Sequence, residues 1–211
     1  MERRYRAAKT LQATFLERYT ENGRTVRVES GVAYFRRPGK MRWEYAAPEN
    51  NLFLIDGKNA WFYVPADHTV TRVPAKQSTD WRTPLALLAG ETKVSRVCAK
   101  IEPAVDEKAQ SAQGAVFRCR LRSEISKAGT KASAAESTEA QDTVFLELNR
   151  DTGELSRIAI RDKGGVAIEF RFEQWRDDPI VAEALFHFEA PPGVAIVNGE
   201  LPADLGPGKE Q

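Results

Sequence analysis

At 211 residues, 42% of them hydrophobic, and with a formal net charge of +1, the chain is long enough to bury a substantial core. It is too near neutrality for charge alone to recruit a nucleic acid or an acidic surface. Its longest apolar runs, at 52–55 and 60–66, fall far short of the roughly 20 residues that a membrane-spanning helix needs.

Residues 1–9 are basic and helix-compatible. No charged segment followed by an apolar one opens the chain, so the expectation is either a cytosolic protein or one whose leader is missing from this sequence. From Leu11 onward Leu11, Ala13, Phe15 and Tyr19 share one face of a strand. Asn22-Gly23 then turns the chain into a second strand over 25–37. There Ala33, Phe35 and Arg37 face one way, and Val32, Tyr34 and Arg36 the other. Pro38 and Gly39 make a turn, because proline fixes φ and glycine accepts a positive one, and the residue before a proline is held extended. Met41, Trp43 and Tyr45 alternate with Arg42 and Glu44, the period of a strand with one apolar face. Asp56-Gly57 marks a hairpin between two further apolar runs. The run 52–55 is apolar at every position, so its periodicity leaves open which parity faces inward.

A short strand is expected at 70–74. The pattern then changes to WRTPLALLAG at 81–90, where Thr83 suits an N-cap, Pro84 the first helical position and Gly90 the stop. Leu85, Leu87 and Leu88 give this helix a greasy face, read either as a core helix or as a short helix covering an opening in a curved sheet. Stretches 93–102 and 115–122 read as a hairpin. Residues 126–141 lack aromatics and large aliphatics and read as a mobile insert. Asp151-Thr152-Gly153 turns another hairpin, and Val166, Ile168, Phe170 and Phe172 give the clearest alternation in the chain. Asp178-Pro179 begins a short helical turn through Leu185, Phe186 and Phe188 resume alternation, and 194–197 closes the ordered chain before a disordered tail.

The chemistry-bearing motifs are missing. HExxH, GxSxG, the P-loop, the dinucleotide-binding glycines and CxxC do not occur, so no enzyme and no cofactor is expected. His68 and His187 lie far apart without ligand-like neighbours, so no metal site is expected either. Basic residues interleave with aromatics in FRRPGKMRWEY, as in single-strand nucleic-acid binders. Lys and Arg are nonetheless spread along the whole chain, which favours solvated charges on the outer face of a sheet and no nucleic-acid partner. Cys98 and Cys119 stand opposite each other if their hairpin is centred between Lys108 and Ala109. They form a disulfide in an oxidising compartment, or else remain two buried thiols. So many strands joined by hairpins imply an antiparallel sheet that must curl to bury one face, either filling itself with side chains or enclosing space for a ligand.

Four segments, RRPGKMRWEYAAP, IDGKNAWFYVP, DWRTPLALLAG and FHFEAPPGVAIV, resemble in order and spacing the LolA family, the outer-membrane lipoprotein carriers of Gram-negative bacteria. The resemblance covers about 11–197. It implies a mainly β fold with a short α lid: an open, strongly curved antiparallel half-barrel covered by helices. It further implies one lipid-binding domain over 1–198, interrupted by the insert at 126–141 and followed by a disordered tail at 199–211. The function implied is that of a soluble, monomeric periplasmic chaperone. Such a carrier receives a lipoprotein from an inner-membrane ABC transporter and passes it to an outer-membrane acceptor. On this resemblance Phe35, Met41, Trp43, Tyr45, Leu52 and Leu54 line the acyl cavity, Arg37 is the arginine before proline that ties the lid shut, and Leu85, Leu87 and Leu88 belong to the lid helix. The insert and the two cysteines depart from the family pattern. The same fold also serves a lipid-anchored acceptor and a stress-sensing regulator, so the alternative reading is a lipid- or lipoprotein-sensing regulatory module, or a carrier of another lipid.

Overall fold

Period-two burial organises the architecture. In β1 (Thr10–Glu21) the odd positions from Leu11 to Tyr19 are buried and the even ones are half-buried, as a strand with one face on a core requires. The same alternation runs through the second half of β2 (Arg24–Arg36), through β3 (Lys40–Ala47) and through most of β11 (Val166–Asp177). A computed structural model describes residues 5, 7–77, 94, 98–121, 143–162 and 164–199. The remaining strands are β4 (Leu52–Ile55), β5 (Asn59–Val64), β6 (Thr69–Pro74), β7 (Cys98–Pro103), β8 (Gly114–Leu121), β9 (Thr143–Asn149), β10 (Leu155–Arg161) and β12 (Ala195–Asn198).

All belong to one sheet in the order β12-β6-β5-β4-β3-β2-β1-β11-β10-β9-β8-β7. The ladders are antiparallel except for β12, which joins β6 in parallel. The sheet is open, since β12 and β7 end it on opposite sides. It is also curled: the Trp43 ring on β3 lies 5.2 Å from that of Phe170 on β11, three strands away, where a flat sheet would hold them about 14 Å apart. Register carries the inner face across the strands. Leu11, Phe35, Met41, Ile55, Ala60 and Val73 form one row, and Ala33, Trp43, Phe53 and Phe62 part of the next.

Two irregularities adjust the curl. At Gly31 the β2–β3 register shifts, and a side chain there would meet the Glu44 carbonyl and the Phe15 ring; only glycine permits that approach. At Gln174, φ is +54° and the β1–β11 register slips, a bulge that turns Trp175 back toward the core.

Two segments pack on the outer face. Beyond β11 the chain crosses the outside of β3–β5, where Arg36 and Lys40 pair with Glu183 at 2.6 and 3.0 Å and Phe188 stacks on Trp61 at 5.2 Å. This strap ends as β12. The loop between β7 and β8 covers β8–β10 above a small cluster of Ala104, Val116, Phe145 and Ala159. There the buried Arg157 meets Glu147 at 2.9 Å and Glu107 and Glu169 at 3.2 Å.

The sequence-based expectation and the structure differ in several elements. Val94 is helical and β7 begins at Cys98, so the strand expected from 93 starts later. The helical turn expected after Pro179 is a 3₁₀ turn at Glu183–Phe186, and Phe188 lies in irregular chain rather than a strand, because the strap runs over the sheet instead of pairing with it. Cys98 and Cys119 are not directly opposite: Cys98 pairs with Leu121 and Cys119 with Ile101, across a register shift. The lid helix at 84–89 and the insert at 126–141 lie outside the described residues.

Candidate functional site

The inner face of the curled sheet is built from aromatic rings. Trp43, wholly buried, sits at its centre, with Phe15 at 4.8 Å, Phe170 at 5.2 Å, Phe35 at 5.8 Å and Phe172 at 5.9 Å between ring centroids. The contacts with Phe15 and Phe35 are edge-to-face, the arrangement that ring quadrupoles favour. Phe15 and Phe35 come from β1 and β2, Phe170 and Phe172 from β11, so the surface joins three consecutive strands to a fourth more than a hundred residues later. Of the residues expected to line it, Phe35, Met41, Trp43 and Tyr45 all face inward and are buried.

Leu52 and Leu54 do not belong to this face. Trp43 pairs with Phe53 and Met41 with Ile55, whereas Leu54 pairs with Arg42 and Trp61, and Leu52 with Glu44 and Tyr63. Directly opposed residues of an antiparallel pair point to the same side. Phe53 and Ile55 are therefore the inner residues, and the two leucines are outer ones. Leu54 is nevertheless fully buried, on the side that the strap crosses. Leu52 lines a groove of about 660 Å³ between strap and sheet, together with Lys40, Arg42, Tyr63, Leu185 and Phe188. This groove has a charged rim and lies on the other side of the sheet from Trp43.

Phe53, Ile55, Phe62, Phe15, Phe170 and Phe172 are the inner-face residues that the sequence reading left unassigned. For the last three the signal was present, in the alternation of β1 and β11. For 52–55 it was not, since both parities are apolar.

One end of the inner face is polar. The Tyr45 hydroxyl donates to Glu17 Oε2 at 2.8 Å. Arg27 Nε lies 2.8 Å from Glu29 Oε2, and its Nη2 lies 3.6 Å from Glu17 Oε1. Glu17 and Glu29 are paired across β1 and β2 and both are buried, so the guanidinium between them offsets charge that burial would otherwise penalise.

At the opposite end the N-terminal segment is tied in through Tyr5. The Arg37 guanidinium donates to the Tyr5 carbonyl, the Leu155 amide donates to the Tyr5 hydroxyl at 2.7 Å, and the Tyr5 ring lies 5.3 Å from Trp175. Arg37 continues the inward parity of Ala33 and Phe35, while Arg36 points outward to Glu183. Leu85, Leu87 and Leu88 lie outside the described residues, so the Arg37 bond seen here reaches the N-terminal segment. Cys98 and Cys119 form a disulfide with a Cα–Cα separation of 5.3 Å at the β7 margin of the core. Among the described residues no cluster of His, Cys, Asp and Glu is arranged to hold a metal ion, and no helix is long and apolar enough to cross a membrane.

The fold is similar to that of a solved structure, an uncharacterised conserved protein from Thermus thermophilus. The TM-score is 0.54, with 13% identity and 91% of each chain covered. The sequence then narrows the class. Residues 6–115 match the family model described as outer membrane lipoprotein carrier protein LolA. A protein of Chromobacterium violaceum named outer-membrane lipoprotein carrier protein is 30% identical over 92% of this chain and 83% of its own length. A protein of the same name from Xanthomonas axonopodis pv. citri is also 30% identical, over 92% and 84%. The chain belongs to the LolA family.

Proposed function

We propose that this protein is a carrier of acylated proteins: it holds their fatty chains against the inner face of the sheet and ferries them across the aqueous space between inner and outer membranes. The observation that carries the reading is the Trp43-centred face, apolar and aromatic across four strands, in a chain of this family. Exposing acyl chains to water costs about 0.8 kcal/mol per methylene, so a lipid anchor with several chains needs such a surface to leave a membrane. Binding and release of this kind use no reaction chemistry, and we assign no catalytic role to any residue.

In this reading residues 1–198 form one lipid-binding domain working as a soluble monomer in the periplasm. Phe35, Met41, Trp43 and Tyr45 touch the acyl chains, joined by Phe53 and Ile55 in place of Leu52 and Leu54. A helix at 84–89, presenting Leu85, Leu87 and Leu88, closes over the face when it is empty, and Arg37 favours the closed form by donating to backbone carbonyls. Loading energy comes from an inner-membrane transporter, and cargo passes to an outer-membrane acceptor.

The test is native mass spectrometry of the protein purified from its own periplasm. An adduct with the mass of an acylated polypeptide is expected. A protein that carries only free lipid, or that is saturated by a second folded protein and never by an acyl chain, would refute the reading.

A further inference from the structure

Three tryptophans fall among the described residues, and they differ in what their indole N–H groups meet. Trp61 Nε1 donates to Asp56 Oδ2 at 2.8 Å, and Trp175 Nε1 donates to the Leu155 carbonyl at 2.8 Å. Trp43 Nε1 is buried and, among the described residues, has no acceptor. A buried indole usually satisfies this group, because a donor stripped of water and left unmade is destabilising.

The surroundings give the reason. Phe15, Phe35, Phe170 and Phe172 pack around the ring, and none carries a side-chain oxygen. The nearby Tyr45 hydroxyl is engaged with Glu17. An apolar side chain in place of Trp43 would fill the centre of this face without stranding a polar atom. The donor is therefore unfavourable in the empty protein and becomes favourable once a ligand brings an oxygen.

The ligand class must then be apolar along its length and carry an acceptor that is not itself a donor. A fatty chain attached through an ester or amide meets both requirements, since each chain begins at a carbonyl. We propose that the Trp43 indole N–H donates to an acyl carbonyl, so that the inner face selects ester- and amide-linked chains over hydrocarbon chains of equal length that carry no acceptor. The inference rests on the carrier reading and adds to it the chemical group recognised. It also makes Trp43 a specificity residue in addition to a wall of the site.

The experiment uses the whole protein with an environment-sensitive apolar dye, displaced by methyl octanoate or by decane, which has the same chain length but carries no acceptor. The ester-to-hydrocarbon ratio of affinities should be roughly three- to tenfold higher in the unaltered protein than in Trp43→Phe, the worth of one net hydrogen bond. An equal ratio in the two proteins overturns the inference while leaving the carrier reading standing. If neither ligand nor dye binds the unaltered protein, the carrier reading fails first and takes the inference with it. An independent measurement avoids the variant: the indole ¹H–¹⁵N resonance of Trp43 should move downfield on adding the ester and not on adding decane, and a resonance indifferent to the ester overturns the proposal.

Discussion

The Arg37 guanidinium, at the turn between β2 and β3, donates to the carbonyl of Tyr5, 32 residues earlier in the chain. The Arg37 amide also donates to the Lys9 carbonyl at 3.0 Å, so two contacts hold the N-terminal segment across this end of the sheet. Arg37→Leu removes the side-chain contact and leaves the amide bond in place.

Hydrogen bonds from charged donors contribute about 1.5–3 kcal/mol, so the arrangement held by Arg37 should open about one to two powers of ten more often in Arg37→Leu. Amide exchange near Tyr5 should quicken, lipid uptake should persist or tighten, and hand-off should slow. Arg36→Leu, on the outer face beside Glu183, should change neither uptake nor hand-off. An Arg37→Leu protein that loads poorly yet releases normally would show that this arginine is not a latch.

The parity of β4 gives a second prediction. Phe53 and Leu54 are adjacent and both fully buried, but on opposite sides of the sheet. Each truncation to alanine should cost about 2–5 kcal/mol of stability, as large core deletions do. Only Phe53→Ala should also weaken binding of an apolar dye, measured below the melting transition. A parallel loss of dye affinity in Leu54→Ala would place the binding face on the strap side.

The disulfide supports a third. Cys98 and Cys119 are 21 residues apart, and closing a loop of that size restrains the unfolded chain by about 3 kcal/mol. Replacing both by serine, or reducing the protein, should lower the melting temperature without abolishing dye binding, because Trp43 lies on distant strands. Thiol titration of denatured, unreduced protein should find no free sulfhydryl; two would dismiss the bridge.

Acid provides a fourth. Burial pushes the Glu107 carboxyl up, but hydrogen bonds from Arg161 and Arg157 outweigh it and hold the group below its ordinary value of 4.5. Between the folded and unfolded values the unfolded chain binds the proton and the native chain does not, so stability rises with pH through that window. The contribution is complete above about pH 4.5 and is lost as pH falls through the folded value. Glu107→Gln should therefore melt below the parent at pH 7, and the gap should narrow as the pH falls below about 4.5. Arg157→Met is expected to be far harsher, by about 3–5 kcal/mol, because it leaves Glu147 buried without its guanidinium. A Glu107→Gln deficit that is constant with pH would mean that the loop is held by packing and not by charge.

How much of this was legible beforehand depends on whether a residue's surroundings are local. Alternation from Leu11 to Tyr19, from Met41 to Tyr45 and from Val166 to Phe172 announces strands with one apolar face, because side chains of a pleated backbone take opposite sides in turn. Turn residues place the hairpins for the same local reason, and four short segments sufficed to identify the family. Residues 52–55 resist such reading. Their outer side is apolar because the strap, more than a hundred residues later, crosses it, so both parities read as core. The offset between Cys98 and Cys119 escaped as well, since a register shift in β7 alters pairing without altering composition. Composition and periodicity thus carry the strands and the curled sheet they must form, because those follow from contacts between neighbours along the chain. The membership of the inner face, the anchoring of Tyr5 by Arg37 and the burial of the Trp43 indole N–H arise only when distant strands and the strap come together, because each is a property of what lies across space from a residue.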